Sequence, residues 1–165
     1  MLPRIYDNQN CSIARTLELV GERWTLLIIR DAFRGLHRFD DYQSSLGIAR
    51  NVLSDRLGRL VDAGIFERVP YQDRPERFEY HLTAKGKELS VPLLALMHWG
   101  DRYLAPYGPP QLTEHAGCGG TVVERHVCSD CGVRLTAGQI HTRPGPGRRR
   151  RPRGQPRSAT RASVR

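Results

Sequence analysis

Apolar positions recur with a helical period through most of the first hundred residues, and the pattern changes once, to a β-like one. Ile13, Leu17 and Val20 fall on one stripe, and Gly21 stands where such a helix would end. Arg23 to Phe33 carries Trp24, Leu27, Ile28 and Ile29, which predicts a mostly buried helix ended by Gly35. A short helix is predicted from Phe39 to about Ser44, with Asp40 and Asp41 in its first turn, where acids suit the helix dipole. Leu46-Gly47-Ile48 makes a turn, and the next helix runs from Arg50 to about Ala63. Its Leu53, Leu57 and Leu60 repeat at i, i+4, i+7, so one face must pack inward. Gly64 stops it.

The β-like pattern follows. Ile65 to Tyr71 and Arg77 to Leu82 predict two strands joined by the polar turn Gln72-Asp73-Arg74-Pro75-Glu76. Thr83 is a good N-cap for a long final helix reaching about Leu104. Leu89, Leu93, Leu96, Trp99, Gly100 and Tyr103 give that helix an apolar face, and Pro92 inside it should kink or split it. Tyr107-Gly108-Pro109-Pro110 is a linker signal. His115 to Thr136 is small, rich in Gly and Cys, and has no helical period. From Pro144 onward Pro, Gly and Arg dominate, a composition disordered when alone. The expected organisation is an arm (1–10), a main domain (11–105), a linker with a zinc-ribbon-like module (106–142) and a disordered Arg-rich tail (143–165). The expected fold class is α+β, mainly α.

Helix, turn, helix and hairpin in that order describe a winged helix-turn-helix, which places one helix in the DNA major groove. With the three leucines set inward at 100° per residue, Asn51, Asp55, Gly58, Arg59 and Asp62 face away and Ser54 lies at the flank. Arg50 and Asn51 in the first turn suit guanine and adenine edges. Asp55 would be repelled by phosphate, so it either reads a cytosine amino group or orients Arg59. Arg74 in the hairpin loop and Arg77 just beyond would enter the minor groove or clamp phosphate. Alone, the helix equally describes a solvated amphipathic helix, and each arginine an ordinary surface residue. The ordered set favours duplex DNA and no catalysis.

Charge sharpens this. The chain has 26 basic and 17 acidic residues. Nine arginines and no acid lie from Arg143 to the end, which leaves 17 basic against 17 acidic residues in the body. A DNA-binding face in the body must therefore come from local placement of a few arginines. The run Arg148-Arg149-Arg150-Arg151-Pro152-Arg153 would add non-specific, salt-sensitive affinity or remain a solvated tail. No run approaches the roughly 18 apolar residues of a membrane span, and the N-terminus lacks the features of a signal peptide. The expected compartment is the cytoplasm, where cysteines are more often metal ligands or redox-active thiols than structural disulfides.

The segment Cys11-Ser-Ile-Ala-Arg-Thr-Leu-Glu-Leu-Val-Gly-Glu-Arg-Trp24-Thr-Leu-Leu-Ile-Ile-Arg-Asp31 resembles the opening of the HxlR-type winged-helix regulators. So do Arg38-Phe39-Asp40-Asp41, Leu46-Gly47-Ile48, Val52-Leu53-Ser54-Asp55-Arg56-Leu57, Tyr80-His81-Leu82-Thr83-Ala84-Lys85-Gly86 and Leu96-Met97-His98-Trp99-Gly100. The resemblance covers about Cys11 to Leu104. It implies a bacterial transcription factor, homodimeric through its first and last helices, binding a pseudo-palindromic operator and in many members repressing. Some members sense oxidants or electrophiles through a cysteine near the position of Cys11. At a helix start, with Arg15 one turn on, Cys11 is a candidate thiolate. The other reading is a small apolar residue at the dimer interface. A small-molecule effector is a further expectation.

His115-Ala-Gly-Cys118 and Cys128-Ser-Asp-Cys131 are two short-spaced ligand pairs separated by nine residues. A two-residue gap lets both members of a pair point at one ion, so the four residues fit a closed, structural Zn2+ site. His126 is an alternative to His115, and Thr121 to Val127 is the expected strand between the pairs. The spacer is shorter than that of common ribbons, and the other reading is three free thiols in a floppy tail. Rival functions are a zinc-ribbon adaptor for RNA or protein and a dithiol or zinc enzyme using Cys128 and Cys131. The enzyme reading finds no acid or base beside the cysteines and no βαβ context.

Overall fold

A computed structural model describes residues 10–147. The Arg148–Arg153 run and most of the expected arm and tail lie outside the described residues. The main domain opens with four helices: α1 (Ser12–Val20), α2 (Arg23–Phe33), α3 (Phe39–Leu46) and α4 (Arg50–Asp62). The hairpin β1 (Phe66–Asp73) and β2 (Glu76–Leu82) follows, then α5 (Ala84–Lys87) and α6 (Ser90–Tyr103). A small C-terminal module adds the two-residue strands β3 (His126–Val127) and β4 (Arg134–Leu135) and a 3-10 turn (Ala137–Gln139). Among the described residues no helix is long and apolar enough to cross a membrane.

The core gathers Ile28, Ile29, Tyr42, Ile48, Leu53, Leu57, Leu60, Ile65 and Phe66, with Leu93 of α6 and Leu89 just before that helix packed against it. Two polar residues, Thr25 and Asp31, share this interior. Asp31 is fully buried, and its carboxylate accepts Nε of Arg30 at 2.8 Å and the hydroxyl of Ser45 at 2.7 Å. Arg34 lies 3.5 Å from the same carboxylate. A buried charge persists only when paired and hydrogen-bonded, so this cluster fixes how α3 seats on α2.

Three expectations change. The final helix is split, as expected, but the break precedes Pro92: Thr83 caps α5, its hydroxyl accepting the Gly86 amide at 3.1 Å, and the chain restarts at Ser90. Pro92 then lies in the first turn of α6, where its missing N–H costs nothing. The wing strands run further than expected, to Asp73 and from Glu76, leaving only Arg74-Pro75 at the tip. The bulge between Pro70 and Gln72 lets the ladder continue beyond Tyr71. In the module, Thr121 makes only an isolated bridge with Glu114, and the strand before Cys128 shrinks to His126–Val127. With no apolar alternation to bury, nothing there extends a ladder.

α1 leaves Ile13 71% exposed, and Leu17 and Leu19 are exposed too; Ala14 and Val20 are the residues it buries. α6 buries none of its residues and exposes Val91, Leu96, Trp99 and Tyr103.

Candidate nucleic-acid interface

The turn between α3 and α4 is built by Gly47. It takes the left-handed conformation (φ 59°), caps α3, and gives its amide to Gln43 O at 2.9 Å. Only a residue without Cβ adopts that geometry at no cost. Ile48 then plunges into the core, and Tyr42 donates its hydroxyl to Leu36 O at 2.6 Å. Burial raises the Tyr42 phenol above its ordinary pKa, with the charges of Asp31 and Asp41 adding to the shift, so it stays a neutral donor.

α4 presents the expected outward row. Leu53, Leu57 and Leu60 are buried, and Arg50, Asn51, Ser54, Asp55, Gly58, Arg59 and Asp62 are exposed. Its first turn has no side-chain cap and no acid, which leaves amide groups pointing outward beside Arg50 and Asn51. A Cβ built on Gly58 would meet nothing within 4 Å, so the protein itself does not fill the space over that face. Asp55 is tied to Arg59, with Nε 3.1 Å from its Oδ2, and Arg56 lies 3.4 Å from the same atom. Of the two roles considered for Asp55, the observed contact is the orientation of Arg59.

Arg50 stands over the Phe39 ring at 4.7 Å and 3.8 Å from Asp40. It lies on the wing side of α4. There a cleft of about 380 Å³ is lined by Phe39, Asp40, Arg50, Tyr71, Arg77 and Phe78, among others. Arg50 and Arg77 thus share one cleft. Arg74 lies apart at the exposed wing tip, and Asn51, Ser54 and Arg59 lie on the outward face of α4.

The wing has an anchor absent from the sequence expectations. Tyr80 N–H donates to His37 O at 2.7 Å, and Arg38 bridges to Glu79, adding a short edge to β2. Arg38 Nε donates to Glu79 at 3.0 Å and its guanidinium covers the Tyr71 ring at 4.6 Å. Hydrogen bonds from Arg38, and secondarily from His81, hold the Glu79 carboxyl below its usual range. A depressed carboxylate stabilises the fold above its unfolded pKa and loses that contribution as pH falls through the folded one, so the anchor is intact at neutral pH. Arg68 stacks on Phe78 at 4.1 Å and offers a further wing cation. Arg56 bridges to Glu22 at 3.3 Å, fixing α4 against the start of α2. Arg38, Arg56 and Arg68 escaped the residue-level reading because their partners are distant in sequence or depend on strand register.

Cys11 is the N-cap residue of α1 and is exposed. Arg15, expected beside it, directs Nη2 to Asn10 Oδ1 at 3.5 Å. In the module, His115 Nδ1 lies 3.1 Å from Cys118 Sγ. The Cys128 thiol is held below its ordinary pKa, chiefly by the backbone amides of Cys131 and Asp130. The structure therefore assembles each pair. It does not bring the four expected ligands together: among the described residues no three of His, Cys, Asp or Glu converge on a common point suited to a metal.

The HxlR-like helix-turn-helix family model matches residues 19–107. An uncharacterized HTH-type transcriptional regulator of Mycobacterium tuberculosis, Rv3095, is 50% identical over 137 residues, 82% of this chain and 87% of its own. The crystal structure of PA1607, a candidate transcription factor, superposes with a TM-score of 0.75 at 36% identity, covering 84% of this chain and 97% of that one. The redox regulator HypR in its reduced form gives 0.53 at 27% identity over 56% of this chain and 92% of its own. The first two matches are longer than the family segment, so they reach beyond the winged helix.

Proposed function

The chain belongs to the HxlR-like helix-turn-helix family of DNA-binding transcriptional regulators, and on that premise we propose that it binds a pseudo-palindromic operator as a homodimer and represses. The observation that carries the DNA reading is the exposed row of α4 with its uncapped first turn, flanked by wing arginines. α4 enters the major groove, Arg50 and Asn51 read base edges, and Ser54 and Arg59 contact the adjoining strand. Asp55 holds Arg59 in place, and Arg74 and Arg77 take the flanking minor groove or phosphates. The dimer reading is supported by the uncovered apolar residues of α1 and α6. A compact dimer seated on a promoter blocks polymerase by occupancy alone, which favours repression.

Cys11 supports a redox-responsive form of this function. It is exposed at the start of the same helix that presents Ile13 and Leu17, so oxidation would place a polar group or a disulfide at the proposed dimer face. HypR, which shares this fold, is a redox regulator.

Selection of duplexes from a random pool should yield an inverted repeat bound roughly 10³-fold or more above random DNA. Arg50→Ala and Asn51→Ala should fold normally and lose that discrimination. Unchanged discrimination in both variants would remove α4 as the reading helix. In the same assay Cys11→Ser should abolish any effect of oxidant on operator affinity.

A further inference from the structure

The C-terminal module is folded without a core. Between residues 106 and 147 no residue is buried; Thr113, Val122, Cys128 and Leu135 are among the few even partly covered. Its ladders are an isolated bridge and a two-residue hairpin. Yet it docks on the main domain: the His98 ring of α6 bonds Glu124 through Nδ1 and the Thr113 hydroxyl through Nε2, and Arg34 donates to the Gln111 side chain. A segment this small, with its apolar surface in water, lacks the burial that normally offsets chain entropy, and natural modules of this size are held by a metal or disulfides.

The two ligand pairs sit in the same turn, built twice. In the first, His115 N–H donates to Gly120 O at 2.8 Å and Gly119 N–H donates back to His115 O at 2.8 Å. In the second, Cys128 N–H donates to Val133 O at 3.0 Å and Gly132 N–H donates back to Cys128 O at 3.0 Å. The offsets are identical: residue i to i+5, and i+4 to i. Each turn closes on a glycine in the left-handed region, Gly119 at φ 70° and Gly132 at φ 69°. His115 therefore corresponds to Cys128, and Cys118 to Cys131. In the first turn the first and fourth residues are in side-chain contact. His115 Nδ1 and Cys118 Sγ stand 3.1 Å apart. The histidine folds over its own turn, where a Cβ on Gly117 would lie 2.9 Å from the ring.

We propose that these twin turns are the two halves of one structural Zn2+ site, ligated by His115, Cys118, Cys128 and Cys131. The donor set, one imidazole and three thiolates, is a closed tetrahedral set with no position for water. As placed, the halves stand apart, and residues 122–125 between them carry no regular structure. Because the same segment bears Glu124, which holds His98, metal occupancy bears on how the module seats against α6.

The test uses the full chain, purified without chelator. Elemental analysis should find a single Zn2+ per chain, and replacement by Co2+ should give the intense thiolate-to-metal absorption and tetrahedral ligand-field bands of a three-sulfur site. Cys118→Ser and Cys131→Ser should each lose the metal while the main domain keeps its helical circular dichroism. His115→Cys, which gives both turns the same pair of ligands, should retain Zn2+ and shift the Co2+ spectrum towards four sulfurs. Wild type without Zn2+ and without the Co2+ bands would overturn the proposal. So would Zn2+ retained in the Cys118→Ser/Cys131→Ser double variant. Loss of metal in His126→Ala with retention in His115→Ala would overturn the equivalence of the two turns.

Discussion

Two glycines separate what the fold requires from what the interface requires. Gly86 is buried in α5, and a Cβ there would lie 2.2 Å from Ile65 O and 3.0 Å from Leu82 Cδ2. Backbone cannot yield as a side-chain tip does, so Gly86→Ala must push α5 off the end of α4. Overpacking of this kind costs about 1–3 kcal/mol, offset in part by the roughly 1 kcal/mol that alanine gains over glycine in a helix. Thermal unfolding should fall by on the order of 5–10 °C. Gly58 is the opposite case: exposed, inside α4, with nothing near its missing Cβ. Gly58→Ala should raise the melting temperature by a few degrees and weaken operator binding, because a methyl group there meets the groove wall. A thermal scan and a titration on the same two samples decide the matter. Gly58→Ala with undiminished affinity would show that α4 does not approach DNA closely along that face.

The elements differ in how far pattern alone exposes them. α2 to α4 were legible nearly to the residue, because Ile28, Ile29, Leu53, Leu57 and Leu60 repeat with the helical period and Gly35, Gly47 and Gly64 punctuate them. The outward row of α4 followed from the same geometry. The wing was legible as a hairpin but not in its extent, since its outer residues are exposed and the bulge at Tyr71 belongs to register. Its anchor at Arg38 and Glu79, and the buried Asp31 cluster, depend on residues that only tertiary packing brings together. The wing also carries a prediction distinct from that of α4. Arg74 and Arg77 are exposed and make no ion pair among the described residues, so as phosphate or minor-groove contacts each should release about one counterion per half-site. Arg74→Ala and Arg77→Ala should weaken operator and random duplexes by similar factors and flatten the salt dependence by about one unit each per subunit. Asn51→Ala should instead leave the slope steep and narrow the gap between the two duplexes. A salt titration in which both wing variants keep the wild-type slope would remove the wing from the interface.

At the scale of the whole molecule, the charge balance and the uncovered helices bear on the same question. Outside the C-terminal arginines the body is neutral, with 17 basic and 17 acidic residues. Several of its arginines are already committed to carboxylates, Arg38 to Glu79, Arg30 to Asp31 and Arg56 to Glu22. The body of one copy therefore brings few free cations to a duplex. A second copy doubles them and turns the second docking into an intramolecular step, which raises affinity by roughly 10²–10⁴-fold with no new contact. α1 and α6 have the surface to join the copies: Ile13, Leu17 and Leu19 on one, Val91, Leu96, Trp99 and Tyr103 on the other, the rings of the last two tilted against each other with centres 5.3 Å apart. An acid in such a patch opposes burial strongly and leaves the core, which lies on the other side of both helices, untouched. Leu17→Asp and Trp99→Asp should therefore keep wild-type circular dichroism, sediment as monomers at micromolar concentration, and lose about 10²-fold or more in operator affinity. Binding to an isolated half-site should stay within a few-fold of wild type. Variants that remain dimeric would place the interface elsewhere, and monomers that hold the full operator as tightly as wild type would remove the need for two copies.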